Sequence, residues 1–254
     1  MKKRLSDIFC VFQIHLARLR AEAGPFLMAA IIFPIGMYLF ANGIAANTAE
    51  GANVDSEKLR FLAASIAFSL SATAIGWTGY LLLENRFTNR LKLFATLPVA
   101  PSSYVFGILI FAVAQSAIGT VTLLAGAWLL GVHTYLATGA GYFLLAATIL
   151  LALLSLCGIS VVIAARVRSF STGSLMTDAF GAGMVLFAPV YYRAETLPLV
   201  LQWFSGFLPT TYIARAIDKL LRGDLFVQNE LGILSLMAAV MLAIGFWQMN
   251  WREN

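Results

Sequence analysis

Between Lys92 and Arg166 the chain runs for 73 residues without an Asp, Glu, Lys or Arg. A soluble domain places charge on the water-facing sides of its helices. A lipid-facing helix excludes it, because a charge at mid-bilayer costs at least about 2.5–3.5 kcal/mol on insertion scales. Three further charge-free stretches, Ala23–Ala49, Phe61–Leu83 and Leu231–Trp251, repeat the pattern. The sequence therefore reads as an all-α polytopic membrane protein.

Composition narrows this. Charged residues make up 11% of the 254 residues, less than half of the roughly 25% usual in globular proteins. One helical bundle is the simplest organisation. Cys10 and Cys157 fall in separate segments and form no metal-ligand cluster, and a disulfide framework is not expected. The basic start Met1-Lys2-Lys3-Arg4 resembles a signal peptide only briefly: Asp7, Arg18, Arg20 and Glu22 interrupt any apolar core, so the segment is expected to be retained. The net charge of +5 sits at segment ends and no recognition motif accompanies it, so nucleic-acid binding is not expected.

Leu5, Ile8, Phe9, Phe12, Leu16 and Leu19 recur at helical spacing, with Asp7, Gln13, Arg18, Arg20 and Glu22 on the wetter sides. Residues 1–24 are read as an amphipathic helix in the headgroup plane, and 25–254 as the membrane domain. Six spans follow: Phe26–Ala46, kinked at Pro34; Phe61–Leu83; about Tyr104–Leu130; about Thr138–Ala165; Leu175–Tyr192; and Leu231–Trp251. Asn47–Arg60 is read as a loop. The second span is rich in Ser, Thr, Ala and Gly, which predicts close packing inside the bundle. The apolar piece Leu197–Leu208 is too short to cross a core that needs about 20 residues, so 191–223 is read as a re-entrant region.

Six spans put both termini on one side. With them inside, Lys2, Lys3, Arg4, Arg18, Arg20, Arg86, Arg90, Lys92, Arg166, Arg168 and Arg252 are cytoplasmic, eleven of the 17 basic residues. The positive-inside rule favours that orientation.

The segment 84–103 lies between the second and third spans. Phe87, Leu91 and Phe94 share a helical face, with Arg86, Asn89, Arg90 and Lys92 on others. Such a helix suits docking into a groove on a soluble partner; a basic loop that only sets topology accounts for it equally well. For a cargo route, Ser69, Thr73, Trp77 and Tyr80 form a mixed stripe on the second span, and Tyr191, Trp203 and Phe207 crowd the re-entrant region. Those aromatics serve equally as an interfacial belt. Asp178 is either a polar gate or, with Ser174 and Thr177 nearby, a helix-start residue.

Three places then carry a family resemblance. Glu84-Asn85-Arg86 followed by Leu93-Phe94-Ala95-Thr96-Leu97-Pro98-Val99-Ala100-Pro101-Ser102-Ser103-Tyr104 is one. Pro189-Val190-Tyr191-Tyr192 leading to Leu197-Pro198 is the second. Phe207-Leu208-Pro209-Thr210-Thr211-Tyr212, with Arg215 and Leu220-Leu221-Arg222-Gly223, is the third. In order and spacing they resemble the permease subunit of ABC-2 type ABC transporters, drug or lipid exporters among them. Asp178 has no counterpart in that pattern. The resemblance implies a subunit without an enzymatic site or cofactor of its own, ATP and magnesium being bound by a cytoplasmic ABC ATPase present in two copies. It also implies a second permease copy or a paralogous one, and a place in the bacterial inner membrane. Arg86, Phe87, Arg90, Leu91, Phe94 and Pro98 would contact the ATPase, and an amphipathic or lipophilic cargo (a drug, a lipid-linked molecule or a peptide) would be exported. The sequence has no Gly-rich loop ending in Gly-Lys-Ser/Thr.

Rival readings fit less well. His15 and His133 fall on opposite sides of the bilayer and cannot share an enzymatic site. An ion-coupled secondary transporter, the alternative, normally shows several intramembrane carboxylates and matching halves; here Asp178 stands alone and no repeat is visible. A channel needs polar or charged rings, which are missing.

Overall fold

Hydrocarbon offers no water to peptide groups, so a chain in lipid has to close its hydrogen bonds within its own segments. The computed structural model describes residues 2–21, 23–48, 54–88, 90, 101–136, 138–192 and 197–248, and every regular element among them is a helix. The protein is an all-α polytopic membrane protein. Four helices among the described residues are long and apolar enough to cross a bilayer: Asp55–Phe87, Ser103–Leu129, Gly139–Arg166 and Gln228–Gly245.

In chain order, α1 is Lys2–Ala21, and α2 (Ala23–Leu27) passes through a π-helical turn, Met28–Ile32, into α3 (Phe33–Thr48). Pro34 explains that turn: it has no N–H to give and its ring crowds the carbonyl four residues back. The predicted kink thus takes the form of one wide turn just ahead of the proline. α4 (Val54–Ser71), a second π turn (Ala72–Trp77) and α5 (Thr78–Phe87) make one continuous rod. α6 is Pro101–Leu129, α7 Gly139–Arg166 and α8 Phe170–Phe187. Two short helices follow, α9 (Leu199–Ser205) and α10 (Pro209–Leu221), before α11 (Gln228–Gln248).

The second-span rod is the axis of the bundle: 72% of its apolar window is buried, against 22% for the last span. The close packing predicted from its small residues is realised. A Cβ on Gly79 would stand 2.5 Å from Thr177 Cγ2 of α8, so the two helices meet where only glycine fits. α11 packs on α7 the same way, where a Cβ on Gly158 would lie 2.7 Å from Met241 Cβ and 2.8 Å from its carbonyl carbon. α1 lies along the first half of α6, with Val11 against Gly107 and His15 against Phe111 (ring centroids 5.8 Å), while Phe9, Ile14 and Leu16 stay exposed.

Two expectations are corrected. Val54–Arg60 is not loop but the first two turns of α4. Asp55 and Glu57 sit in the favourable first turn and pair along the helix, Asp55 with Lys58 at 3.2 Å and Glu57 with Arg60 at 2.6 Å. α8, the predicted fifth span, starts earlier than expected, because Ser169 rather than Ser174 caps it: the Ser169 hydroxyl accepts from the Thr172 N–H at 3.2 Å. Asp178 is therefore mid-helix, not a helix-start residue.

The boundary between the third and fourth spans falls where Gly131 predicted it. Gly131 has a φ of 74°, a left-handed conformation that glycine adopts without strain. Thr138 caps α7 by accepting from the Gly141 N–H, and His133 is exposed in the short connection.

Candidate functional site

At one end of the bundle, rich in basic residues, α5 ends against α7 and α8. Arg86 donates from one guanidinium nitrogen to the Ala164 carbonyl and to the Val167 carbonyl, the latter at 3.0 Å. These lie at the last turn of α7 and at its C-cap, where carbonyls lack helical donors and a cation suits the helix dipole. Phe87 packs edge-on to Phe170 at the start of α8, with ring centroids 6.5 Å apart. Asn85 is buried and donates to the Tyr104 hydroxyl of α6 at 2.7 Å. Arg90 is exposed and pairs with Glu84 at 3.4 Å.

Among the predicted partner-binding residues, then, Arg86 and Phe87 are tied into the chain's own helix ends and only Arg90 reaches outward. Leu91, Phe94 and Pro98 lie outside the described residues. The two ends of segment 84–103 also belong to the bundle: Glu84–Phe87 finishes α5 and Pro101–Ser103 opens α6.

The second locus is the π turn Ala72–Trp77. A widened turn leaves carbonyls poorly served by the helical ladder, and in lipid each unserved group is costly. Side chains fill the gap. The Thr78 hydroxyl donates to the Thr73 carbonyl five residues back at 3.1 Å, and the Ser160 hydroxyl of α7 donates to the Ala74 carbonyl. The Ser71 hydroxyl donates to the Gly181 carbonyl of α8 at 2.9 Å. The α4–α5 rod, α7 and α8 are thus pinned together around one irregular turn.

The predicted cargo-route residues do not line one route within a single chain. Ser69 and Thr73 are fully buried in the core. Trp77 and Tyr80 stack at 6.2 Å, half-buried, and Tyr80 meets Phe170 edge-on at 5.4 Å. Tyr191 stacks on Phe61 at 6.4 Å, well away from that pair along the rod. Trp203 and Phe207 are 75% and 70% exposed, on the outer surface of the α9 region.

That region occupies the end opposite Arg86. Helices of 7 and 13 residues are each too short to cross the core. Pro209 takes the first position of α10, where its missing N–H costs nothing. The Thr210 hydroxyl donates to the Met184 carbonyl of α8, and the Thr211 hydroxyl to the Ser205 carbonyl, both at 2.7 Å. The helix is fastened at its far end as well: Arg222 donates to Ser56 Oγ at 2.7 Å and to the Ser56 carbonyl at 2.9 Å, and it pairs with Asp218. Lys219 pairs with Glu230 at 2.6 Å. Asp55, Ser56, His133, Tyr135 and Arg222 border a cleft of about 470 Å³ there.

Sequence reasoning missed a buried polar group on α6. Gln115, Ser116 and Thr120 are at least 97% buried, and their side chains have no hydrogen-bond partner among the described residues. Unpaired polar groups at membrane depth are costly and need an explanation. One signal was available: Gln115 is the only Asn or Gln in the 73-residue charge-free run.

An all-helical bundle in which the buried rod α4–α5 ends on a charged stretch, and paired short helices precede the last long helix, has the element order of one transporter class. No curated protein matches the chain. The profile of the ABC-2 type transporter family matches residues 2–221, most of its length, and the chain belongs to that family as the permease component of an ABC transporter.

Proposed function

We infer that this permease is driven by ATP hydrolysis on a separate cytoplasmic ABC ATPase, present in two copies, and exports an amphipathic or lipophilic cargo. It would work beside a second permease, a copy of itself or a paralogue, in the bacterial inner membrane. In this reading the chain spans six times, α2–α3 and α8 supplying the two shorter crossings. Both termini and the Arg86 end face the cytoplasm, as the positive-inside rule favours. α1 enters from the cytoplasmic side and packs along the first half of α6, and α9 and α10 form the re-entrant hairpin. Arg90, Leu91, Phe94 and Pro98 present the docking surface for the ATPase.

The observation that carries the reading is the Arg86–Phe87 junction. A push delivered to the segment beyond Phe87 passes through the Arg86 hydrogen bonds to α7 and through the Phe87–Phe170 contact to α8. ATP-driven closure of two ATPase subunits would then move the second, fourth and fifth spans as one body. That is a rigid-body alternation between states of different ligand affinity. Charge-poor spans and the exposed Trp203 and Phe207 favour a lipophilic cargo over an ionic one. The ion-coupled carrier alternative gains nothing from the family match.

The test is co-purification. With Leu91 and Phe94 both replaced by Glu, the permease should reach the membrane at normal levels and lose its ATPase partner. Undiminished association would reject the docking assignment. Nucleotide hydrolysis by the purified permease alone would reject the division of labour.

A further inference from the structure

We propose that the π turn Ala72–Trp77 is a two-position joint in the α4–α5 rod. It moves by one residue toward α5, and the Ser160 hydroxyl passes from the Ala74 carbonyl to the Ile75 carbonyl as it does. The movement belongs to this chain alone; its use in transport rests on the permease reading above.

What fixes each π turn is the first argument. A π turn carries one residue more than the regular helix, and nothing in the ladder itself fixes where that residue sits. In the first turn, Met28–Ile32, Pro34 fixes it, because the proline has no N–H for the ladder. The rod Val54–Phe87 contains no proline at all. Its turn is held by hydroxyls instead, and hydroxyls rotate.

The second argument is that Ser160 already reaches both positions. Its hydroxyl donates to the Ala74 carbonyl and stands 3.4 Å from the next one, that of Ile75. The donor is fully buried on α7, as are Ala74 and Ile75. An unserved carbonyl at membrane depth is costly. A single donor within reach of two consecutive carbonyls therefore supports two positions of the turn, and disfavours those further along the rod.

Clearance is the third. The rod is fixed just above the turn, where the Ser71 hydroxyl donates to the Gly181 carbonyl, and just below it, where Gly79 meets Thr177. Between these points the neighbours stand back. A Cβ on Gly76 would meet no neighbour within 4 Å, and one on Gly181 would lie 3.7 Å from the Gly76 nitrogen. A one-residue shift turns and displaces only the residue it passes, by up to about 100° and 1.5 Å. Arg86, Phe87 and Gly79 keep their contacts. Trp77, the last residue of the turn, is the large side chain that moves, and its stack on Tyr80, with centroids 6.2 Å apart, opens in the second position.

The experiment exploits a feature of the sequence: Gly76–Trp77 is the only Gly-Trp step in it. A permease made with carbon-13 in its glycine carbonyls and nitrogen-15 in its tryptophans gives one carbonyl-selected amide signal, from the turn itself. With the purified permease in lipid nanodiscs, nitrogen relaxation dispersion of that signal should show exchange on the microsecond-to-millisecond scale of helix register shifts, the minor position being populated at about 0.1–10%. A flat profile overturns the proposal. Deleting Ala72 removes the extra residue and leaves α4 and α5 facing as before. The deleted chain should keep its circular dichroism and melting temperature and give a flat profile; exchange that persists in it overturns the proposal. Ser160→Ala keeps the turn but not the shared donor, and should change the exchange rate or the minor population by about twofold or more. An unchanged profile in that variant also overturns it. No ATPase is present in these samples, so failure of the joint and failure of the subunit association described above are told apart.

Discussion

The Arg86 guanidinium stands 3.0 Å from the Val167 carbonyl and also holds the Ala164 carbonyl. One side chain at the end of α5 thereby closes the end of α7. The bond joins elements 81 residues apart in sequence, and it lies at the mouth of the segment assigned to the ATPase. The residue ties two helix ends together, which is a role in the fold.

Replacing Arg86 measures what that tie contributes to the fold. Arg86→Met removes a charged donor from two carbonyls and should destabilise the detergent-purified permease by about 1.5–3 kcal/mol, the range for hydrogen bonds to charged groups. Arg86→Lys keeps the charge but loses the planar fork and should recover only part of that. Thermal unfolding checks both; a melting temperature unchanged in Arg86→Met would mean that the bond contributes nothing.

Close helix approach makes a paired prediction. A methyl on Gly158 meets the Met241 backbone as well as its side chain, so Gly158→Ala has to push α11 away from α7. The expected cost is about 1–3 kcal/mol, as for other overpacked sites. Gly126 lies in the last turn of α6, where a Cβ meets nothing within 4 Å, and Gly126→Ala should be neutral or stabilising by up to about 1 kcal/mol through helix propensity. Equal effects at the two positions in a melting assay would contradict the packing described.

Much of this fold was legible because lipid imposes a strict rule on charge. The four long spans follow from where Asp, Glu, Lys and Arg are absent and for how long, the break at Gly131 from a turn sequence inside the charge-free run, and the re-entrant region from an apolar piece too short to cross. What escaped was decided by local competition or by distant partners. Ser169 and Ser174 are equally good caps by residue type, and only the Thr172 N–H geometry selects the first. Val54–Arg60 looks polar enough for a loop, yet its charges are spaced to pair along a helix. Of the site, the stretch around Arg86 was legible as a segment, but its inward hydrogen bonds were not, because nothing near residue 86 names residues 164 and 167. Ser69 and Thr73 read as a polar stripe; the burial that closes them off from any route within one chain depends on three helices at once.

The π turn offers a test of how backbone irregularity is tolerated at membrane depth. Ser160→Ala leaves the Ala74 carbonyl without the hydroxyl that serves it. Interhelical hydrogen bonds in membranes average about 0.6 kcal/mol and reach about 1.7. This one satisfies a turn with no regular donor, so a value in the upper half of that range is expected, read from unfolding in mixed micelles. Adding Thr78→Ala, which removes the other hydroxyl at the turn, should cost more than the sum of the two single changes if the hydroxyls support one structure. Strict additivity would show that they act independently.

Orientation is testable at two positions the structure leaves exposed. Thr88 follows the last turn of α5 at the Arg86 end, and His133 lies in the α6–α7 connection at the opposite end. Cys10 is exposed and free whereas Cys157 is buried, so a Cys10→Ser chain gives a quiet background. In intact cells whose outer membrane has been made permeable, His133→Cys should react fully with an impermeant maleimide. Thr88→Cys should stay unlabelled until the inner membrane is opened. The reverse pattern would place the Arg86 end outside, where no ATP is available, and with it the energy source assigned to this permease would be lost.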